Sequence, residues 1–135
     1  MLKSIDHIGV AVKDLDRVVG FYRDILGLEF LGVESVPSQK VRVAKFDING
    51  VHIEFLEATH PDSPIAKFIA KRGEGLHHIA YRTDNIDAEL EKLKNMGVKL
   101  INEKPVEGSG GMLIAFLHPS SSLVLTELVS GGRNE

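Results

Sequence analysis

The feature that most constrains this chain is an internal repeat. The segment "DHIGV" that begins at Asp6 recurs as "HHIAY" from His77, 71 residues later. Further matches follow at nearly the same offset: Asp14-Leu15-Asp16 with Asn85-Ile86-Asp87, and Gly27-Leu28-Glu29-Phe30 with Gly97-Val98-Lys99-Leu100. A repeat of this length predicts two similar supersecondary units that share a hydrophobic core.

Each copy has the pattern of a strand followed by a capped amphipathic helix. Ile8, Val10 and Val12 alternate as in a half-buried strand. An acidic or amide residue then precedes a helical run, where its side chain can accept the free N–H groups of the helix start. The expected caps are Asp14 or Asp16 and Asn85, and the expected left-handed C-cap residues are Gly27 and Gly97. The apolar positions at helical spacing are Leu15, Val18, Val19, Tyr22, Ile25, Leu26, and in the second copy Ile86, Leu90, Leu93 and Met96.

Three more strands are predicted after each helix. They are "LEFLGVESV", "KVRVAKFDI" and, past the Asn49-Gly50 hairpin signal, "VHIEFLEA"; then "VKLINEKPV", "GMLIAFLHP" and "SSLVLTELV". The fold class is therefore α+β, with two tandem βαβββ modules at about 4–58 and 75–130 joined by a short helical linker at 61–73. Each module has a bare sheet face to bury, so we expect one domain over residues 1–135, with the modules pairing into a curved, partly open eight-stranded sheet around a metal cleft.

Composition limits the classes of function. The net charge is −3, which gives no global basic field for nucleic acid. The chain has no cysteine, so disulfide and thiolate chemistry are excluded and a metal site must use His, carboxylate or amide ligands. No apolar run resembles a signal peptide or a membrane span. We expect a cytoplasmic homodimer that binds neither nucleic acid nor membrane.

A histidine and a glutamate recur in register in the two copies. Glu54 lies 47 residues after His7, and Glu127 lies 49 residues after His78, each on the predicted fourth strand of its module. Two imidazoles and two carboxylates suit a divalent metal such as Zn, Co, Ni, Mn or Fe. Taken singly, each residue is more often structural than a ligand. Packing alone, however, gives no reason to duplicate His and Glu in register.

Two other histidines lie close in sequence to the candidate ligands. His77 adjoins His78 but points to the opposite face of an alternating strand, so we interpret it as structural. His52 shares a face with Glu54 and could act as a ligand, although nothing in the second copy matches it.

These residues resemble the vicinal oxygen chelate, or glyoxalase–dioxygenase, superfamily over nearly the whole chain. Within that superfamily the chain most resembles the methylmalonyl-CoA epimerase family. The segments that carry the resemblance are "IDHIGVAVKDLD", "DSPIAKFIAKRGEGLHHIAYRTDNIDA", "NEKP…GSGG…IAFLHP" and "VLTEL". The stretch from Asp62 through the His pair is the most specific of them.

The resemblance implies a fold, a metal and a reaction. Its metal ligands fall on His7, Glu54, His78 and Glu127, and its reaction interconverts (2R)- and (2S)-methylmalonyl-CoA through a metal-stabilised enolate. Glu127 is the implied proton-transfer group for one face of the reacting carbon. Some bacterial epimerases carry a second catalytic glutamate at the position of Val43. For the other face the sequence leaves Gln39, Lys40, Lys45, His52 or a metal-bound water.

An acyl-CoA substrate would need contacts for its phosphates. The cations Lys67, Lys71 and Arg72 on the linker helix, together with Lys104, could supply them, or could simply form a solvated helix face. Gln39 and the mobile backbone around Gly110 are further substrate-binding candidates.

Alternative functions stay open at this point. One is a glyoxalase I-type lactoylglutathione lyase or another lyase or isomerase of the superfamily, which the His-Glu quartet does not separate from an epimerase. Another is a non-enzymatic ligand-binding module, against which four intact candidate ligands argue. An Fe(II) extradiol dioxygenase would need only two His and one Glu and is usually longer.

Overall fold

The computed structural model describes residues 1–131 of the chain. Within them the eight strands are β1 (Leu2–Ala11), β2 (Glu29–Val36), β3 (Val41–Ile48), β4 (Val51–Ala58), β5 (Gly75–Thr83), β6 (Val106–Glu107), β7 (Leu113–Leu117) and β8 (Thr126–Ser130). The α-helices are α1 (Leu15–Gly20), α2 (Pro64–Arg72), α3 (Ile86–Asn95) and α4 (Pro119–Ser122). A π-helical turn (Phe21–Ile25) and two 3-10 turns (Pro37–Gln39 and Ser109–Gly111) complete the helical elements. None of the helices described is long and apolar enough to cross a bilayer.

The chain forms two compact units. One comprises His7–His77, and the other combines Met1–Asp6 with the chain from His78 onward. By hydrogen-bonded neighbours the strand order is β2-β3-β4-β1 in the first half and β5-β8-β7-β6 in the second. In each half the first and fourth strands are parallel and the other pairs are antiparallel. The predicted α+β class, with eight strands in two βαβββ repeats, is confirmed.

The helix ends form where the sequence signals place them. The Asp14 carboxylate accepts a hydrogen bond from the Arg17 backbone N–H at 3.2 Å, and the Asn85 amide oxygen accepts one from Ala88 at 3.0 Å. Gly27 and Gly97 have φ of 74° and 82°, the left-handed conformation that glycine adopts at no steric cost.

The apolar face of the first helix ends sooner than its spacing predicts. α1 stops at Gly20, and the wider π-helical turn that follows moves later side chains off the 3.6-residue period. Ile25 and Leu26 are therefore 71% and 52% exposed instead of lying in the core. Met96 is also 71% exposed, because α3 ends one residue before it. These three residues therefore lie outside the buried apolar face, although they recur at helical spacing.

The second half departs from its predicted strands. The segment "VKLINEKPV" forms only a bridge from Leu100 to Leu117 and the two-residue β6. The Asn102 side-chain oxygen takes the place of a ladder carbonyl by accepting the Phe116 N–H at 2.8 Å. "SSLVLTELV" begins in a turn in which Leu123 has φ 69°, so β8 starts only at Thr126.

The sheet of the His7–His77 unit is covered by a helix on each face. α1 packs on one face, in a cluster that includes Leu15, Phe46 and Phe55. α2 packs on the other through Ile65, against a cluster that includes Val41 and Val43. Because side chains alternate along a strand, the second face is also the one that carries His7 and Glu54.

Candidate active site

The first repeat brings His7 and Glu54 together. Gly9 of β1 lies opposite Glu54 of β4 in a parallel ladder, and His7 is two residues before Gly9, so both side chains share one face. The His7 Nδ1 and Glu54 Oε2 atoms are 3.5 Å apart, and both side chains are buried.

The second repeat builds the same arrangement. Ala80 of β5 lies opposite Glu127 of β8, and His78 is two residues before Ala80. The His78 Nε2 and Glu127 Oε1 atoms are 3.0 Å apart, and both side chains are buried. The matched spacing in the sequence thus corresponds to a matched position in the ladder of each half.

The chemistry of these donors fits a divalent metal ion. A buried carboxylate is costly unless charge or hydrogen bonds compensate it. In each pair the ligand atoms are close enough to bind the same ion. Imidazole nitrogen and carboxylate oxygen are the ligands that Zn, Co, Ni, Mn and Fe accept in proteins. The residues present therefore support a His/Glu metal-binding function for both pairs.

The two glutamates have different neighbours on the next strand. Lys45 of β3 lies opposite Glu54, whereas Phe116 of β7 lies opposite Glu127. The Lys45 ammonium is 3.2 Å from Glu34 Oε1, and the Phe116 ring packs edge-on to the His78 ring with centroids 5.7 Å apart. The residue opposite Glu54 is therefore a lysine, and the residue opposite Glu127 is a phenylalanine.

His52 and His77, the other two histidines near the candidate ligands, have different neighbours. His52 lies opposite His7 in the ladder, and its Nε2 is 3.5 Å from Asp47 Oδ1. His77 packs edge-on to Phe68, with ring centroids 4.8 Å apart. This aromatic contact agrees with the structural interpretation of His77.

The predicted substrate-binding residues lie on α2 and on two turns. Lys67, Lys71 and Arg72 are exposed, and the Arg72 guanidinium lies 6.0 Å from the centre of the Phe68 ring. Gln39 ends a 3-10 turn, and its carbonyl accepts the Ser63 hydroxyl at 3.4 Å, which ties the turn to the start of α2. Gly110 is exposed with φ 66°. Val43 is buried in the core cluster under α2, so it carries no chemistry.

Sequence reasoning did not find the pairing of Lys45 with Glu34 or the Phe116 ring beside His78. Both depend on which residues oppose each other across neighbouring strands. The register between β2 and β3 also shifts at a bulge between Phe30 and Gly32, which no local sequence pattern predicts.

Comparison with known proteins identifies the family. Residues 6–116 match the sequence model of the Glyoxalase/Bleomycin resistance protein/Dioxygenase superfamily. The chain belongs to this superfamily. It is 34% identical to the human mitochondrial methylmalonyl-CoA epimerase, over 94% of this chain and 73% of that protein. It is 33% identical to an ethylmalonyl-CoA/methylmalonyl-CoA epimerase of Cereibacter sphaeroides, over 88% of this chain and 90% of that protein.

A solved structure of this superfamily extends the likeness to three dimensions. It is a methylmalonyl-CoA epimerase in complex with methylmalonyl-CoA and NH4+, 42% identical to this chain. The two superimpose with a TM-score of 0.95 over 100% of this chain and 99% of that one.

Proposed function

We propose that this superfamily member is an isomerase that epimerises methylmalonyl-CoA. The observation that carries the proposal is the buried His–Glu pair, built twice at the same ladder position. Its relatives named as epimerases, at 33–42% identity, support the choice of substrate. Such a substrate presents a thioester, a free carboxylate and the α-proton on the carbon between them.

The reaction needs a base, charge stabilisation and a proton return. In this proposal the Glu127 carboxylate removes the α-proton, and the electron pair of the C–H bond passes into an enolate whose charge falls on the thioester oxygen. A divalent ion, when bound, supplies positive charge that stabilises this enolate. Glu127 is only 4% exposed, so its carboxylate is largely shielded from bulk water. A second group then delivers a proton to the opposite face of the carbon, which inverts the centre, and Glu127 releases the proton it took to solvent. The candidates for the second group are those left by the sequence: Gln39, Lys40, Lys45, His52 or a water.

We further propose that His7, Glu54, His78 and Glu127 bind a single ion per chain. The donor set supports Co, Zn, Ni or Mn. A His7→Ala, His78→Ala double variant should then lose the ion, whereas full metal retention would refute the assignment. We expect the active form to be a cytoplasmic homodimer. Equilibrium sedimentation tests the oligomeric state.

For the acyl-CoA we propose contacts from α2 and its flanking turn. The exposed side chains of Lys67, Lys71 and Arg72 offer three cations along one short helix. Gln39 lies beside the start of that helix, and Gly110 lies in an exposed turn. Loss of CoA affinity in a Lys67→Ala, Lys71→Ala double variant would support these contacts.

The activity is tested by following α-proton exchange of (2S)-methylmalonyl-CoA in D₂O by NMR. An epimerase incorporates deuterium and produces the (2R) isomer. The hemithioacetal of methylglyoxal and glutathione is the matched second substrate, because a glyoxalase I-type lyase uses the same enolate chemistry on it. Turnover of the hemithioacetal without exchange of methylmalonyl-CoA would overturn the proposal.

A further inference from the structure

The face of the sheet that carries His7 and Glu54 has an uneven distribution of charge. The register places Glu29 and Glu34 of β2, Asp47 of β3 and His52 of β4 on it as well. Among the described residues of β2, β3 and β4 on this face, Lys45 is the one with a fixed positive charge. Beyond Lys45 the same face becomes apolar where α2 covers it.

The Lys45 side chain is held in place. Only 15% of it is exposed, and its Nζ atom is 3.2 Å from Glu34 Oε1. Glu34 lies on an edge strand and is itself 42% exposed, so water can solvate its carboxylate without help from a lysine. Confining a lysine in this way costs side-chain entropy and hydration. The main effect of the Lys45–Glu34 contact is therefore to hold the Lys45 ammonium in position, and not to neutralise Glu34.

The second repeat shows that the fold does not require a cation at this position. Phe116 lies opposite Glu127 just as Lys45 lies opposite Glu54, and both repeats form the same His–Glu pair. The duplicated donors thus need no lysine beside them. The charge of Lys45 is a feature of the first repeat alone, and it calls for a separate explanation.

We infer that the Lys45 ammonium recognises the free carboxylate of the substrate, and that Glu34 is the residue that positions it. This inference rests on the proposed function, because a malonyl-type thioester carries such a carboxylate beside the reacting carbon. Simple acyl-CoA esters lack the group. Lys45 would therefore select malonyl-type esters over esters such as propionyl-CoA, through a charge-assisted hydrogen bond.

The test measures the affinity of methylmalonyl-CoA and of propionyl-CoA by calorimetry for wild type, Lys45→Met and Lys45→Arg. Losing a hydrogen bond to a charged group should weaken methylmalonyl-CoA binding in Lys45→Met roughly 10- to 100-fold. Propionyl-CoA binding should change less than threefold. Lys45→Arg keeps the charge and should retain most of the preference. Lys94→Met is the matched control, since Lys94 is also ion-paired, with Glu103 at 3.6 Å, but lies on α3.

Each outcome separates this inference from the proposed function. An equal loss of affinity for both esters in Lys45→Met, or no loss for either, overturns the role of Lys45 even if wild type epimerises. If Lys45→Met does not fold, the test uses Lys45→Arg and Glu34→Gln instead. An unchanged preference between the two CoA esters in Glu34→Gln refutes the positioning role of Glu34. A wild type that prefers malonyl-type esters but exchanges no α-proton supports the carboxylate site and overturns the epimerase.

Discussion

Glu54 and Glu127 occupy equivalent positions in the two repeats but differ in their neighbours. Lys45 lies opposite Glu54, and Phe116 lies opposite Glu127. Both glutamates are almost fully buried, so exposure to water does not distinguish them. A lysine on the strand next to Glu54, however, suits the binding of an anionic substrate on that side. We therefore propose that Glu127 transfers the proton in addition to binding the ion, and that Glu54 acts only as a ligand.

The assignment predicts a selective defect in Glu127→Gln. The amide keeps the size and a ligating oxygen but cannot accept the proton, so turnover should fall roughly 10²- to 10⁴-fold. Metal content should change far less than turnover, which elemental analysis and the deuterium-exchange assay measure together. Glu107→Gln, an exposed carboxylate on β6, should behave as wild type. Near-normal exchange in Glu127→Gln would place the base elsewhere.

His52 gives a second prediction at this scale. It lies opposite His7 but is paired with Asp47 and has no counterpart in the second repeat. His52→Ala should keep the metal and most of the activity, whereas His7→Ala should weaken metal binding. The metal affinities of His52→Ala, His7→Ala and Glu54→Gln are measured by competition with a chromogenic chelator. A larger loss in His52→Ala than in Glu54→Gln would make His52 the ligand.

At the scale of elements, the sequence predicted what local chemistry determines. Asp14, Asn85, Gly27 and Gly97 act at helix ends, and the Asn49-Gly50 turn has φ of 51° and 92°, as a tight hairpin requires. The π-helical turn after Gly20 and the reduction of a predicted strand to β6 were not foreseen. For β6 the reason is the Asn102 side chain, which takes the place of a ladder carbonyl, and the π-helical turn departs from the 3.6-residue period on which the prediction depends.

Two glycines are predicted to respond oppositely to alanine. Gly20 has helical dihedrals, and an added Cβ would meet nothing within 4 Å, so Gly20→Ala should stabilise the protein by about 0.5–1 kcal/mol. At Gly108 the added Cβ would lie 2.8 Å from Ile114 Cγ2, so that buried side chain would have to shift. Gly108→Ala should cost about 1–3 kcal/mol. Urea unfolding measures both, and equal effects would contradict the packing described around Gly108.

At the scale of the whole molecule, duplication links the fold to the site. Each compact unit contains one complete His–Glu pair, so each half contributes equally to the proposed ligand set. The two His–Glu pairs could be predicted because the sequence contains the same spacing twice. The Lys45–Phe116 difference could not, because it appears only when the neighbouring strands are in register.

The proposed epimerase depends on a single ion that both His–Glu pairs would bind together. The most direct measurement titrates metal-free protein with Co²⁺ while following α-proton exchange of methylmalonyl-CoA in D₂O by NMR. We expect negligible exchange without the ion and a rate that rises to a plateau at one equivalent of Co²⁺ per chain. Full exchange in the metal-free protein, or a plateau only at two equivalents per chain, would contradict it.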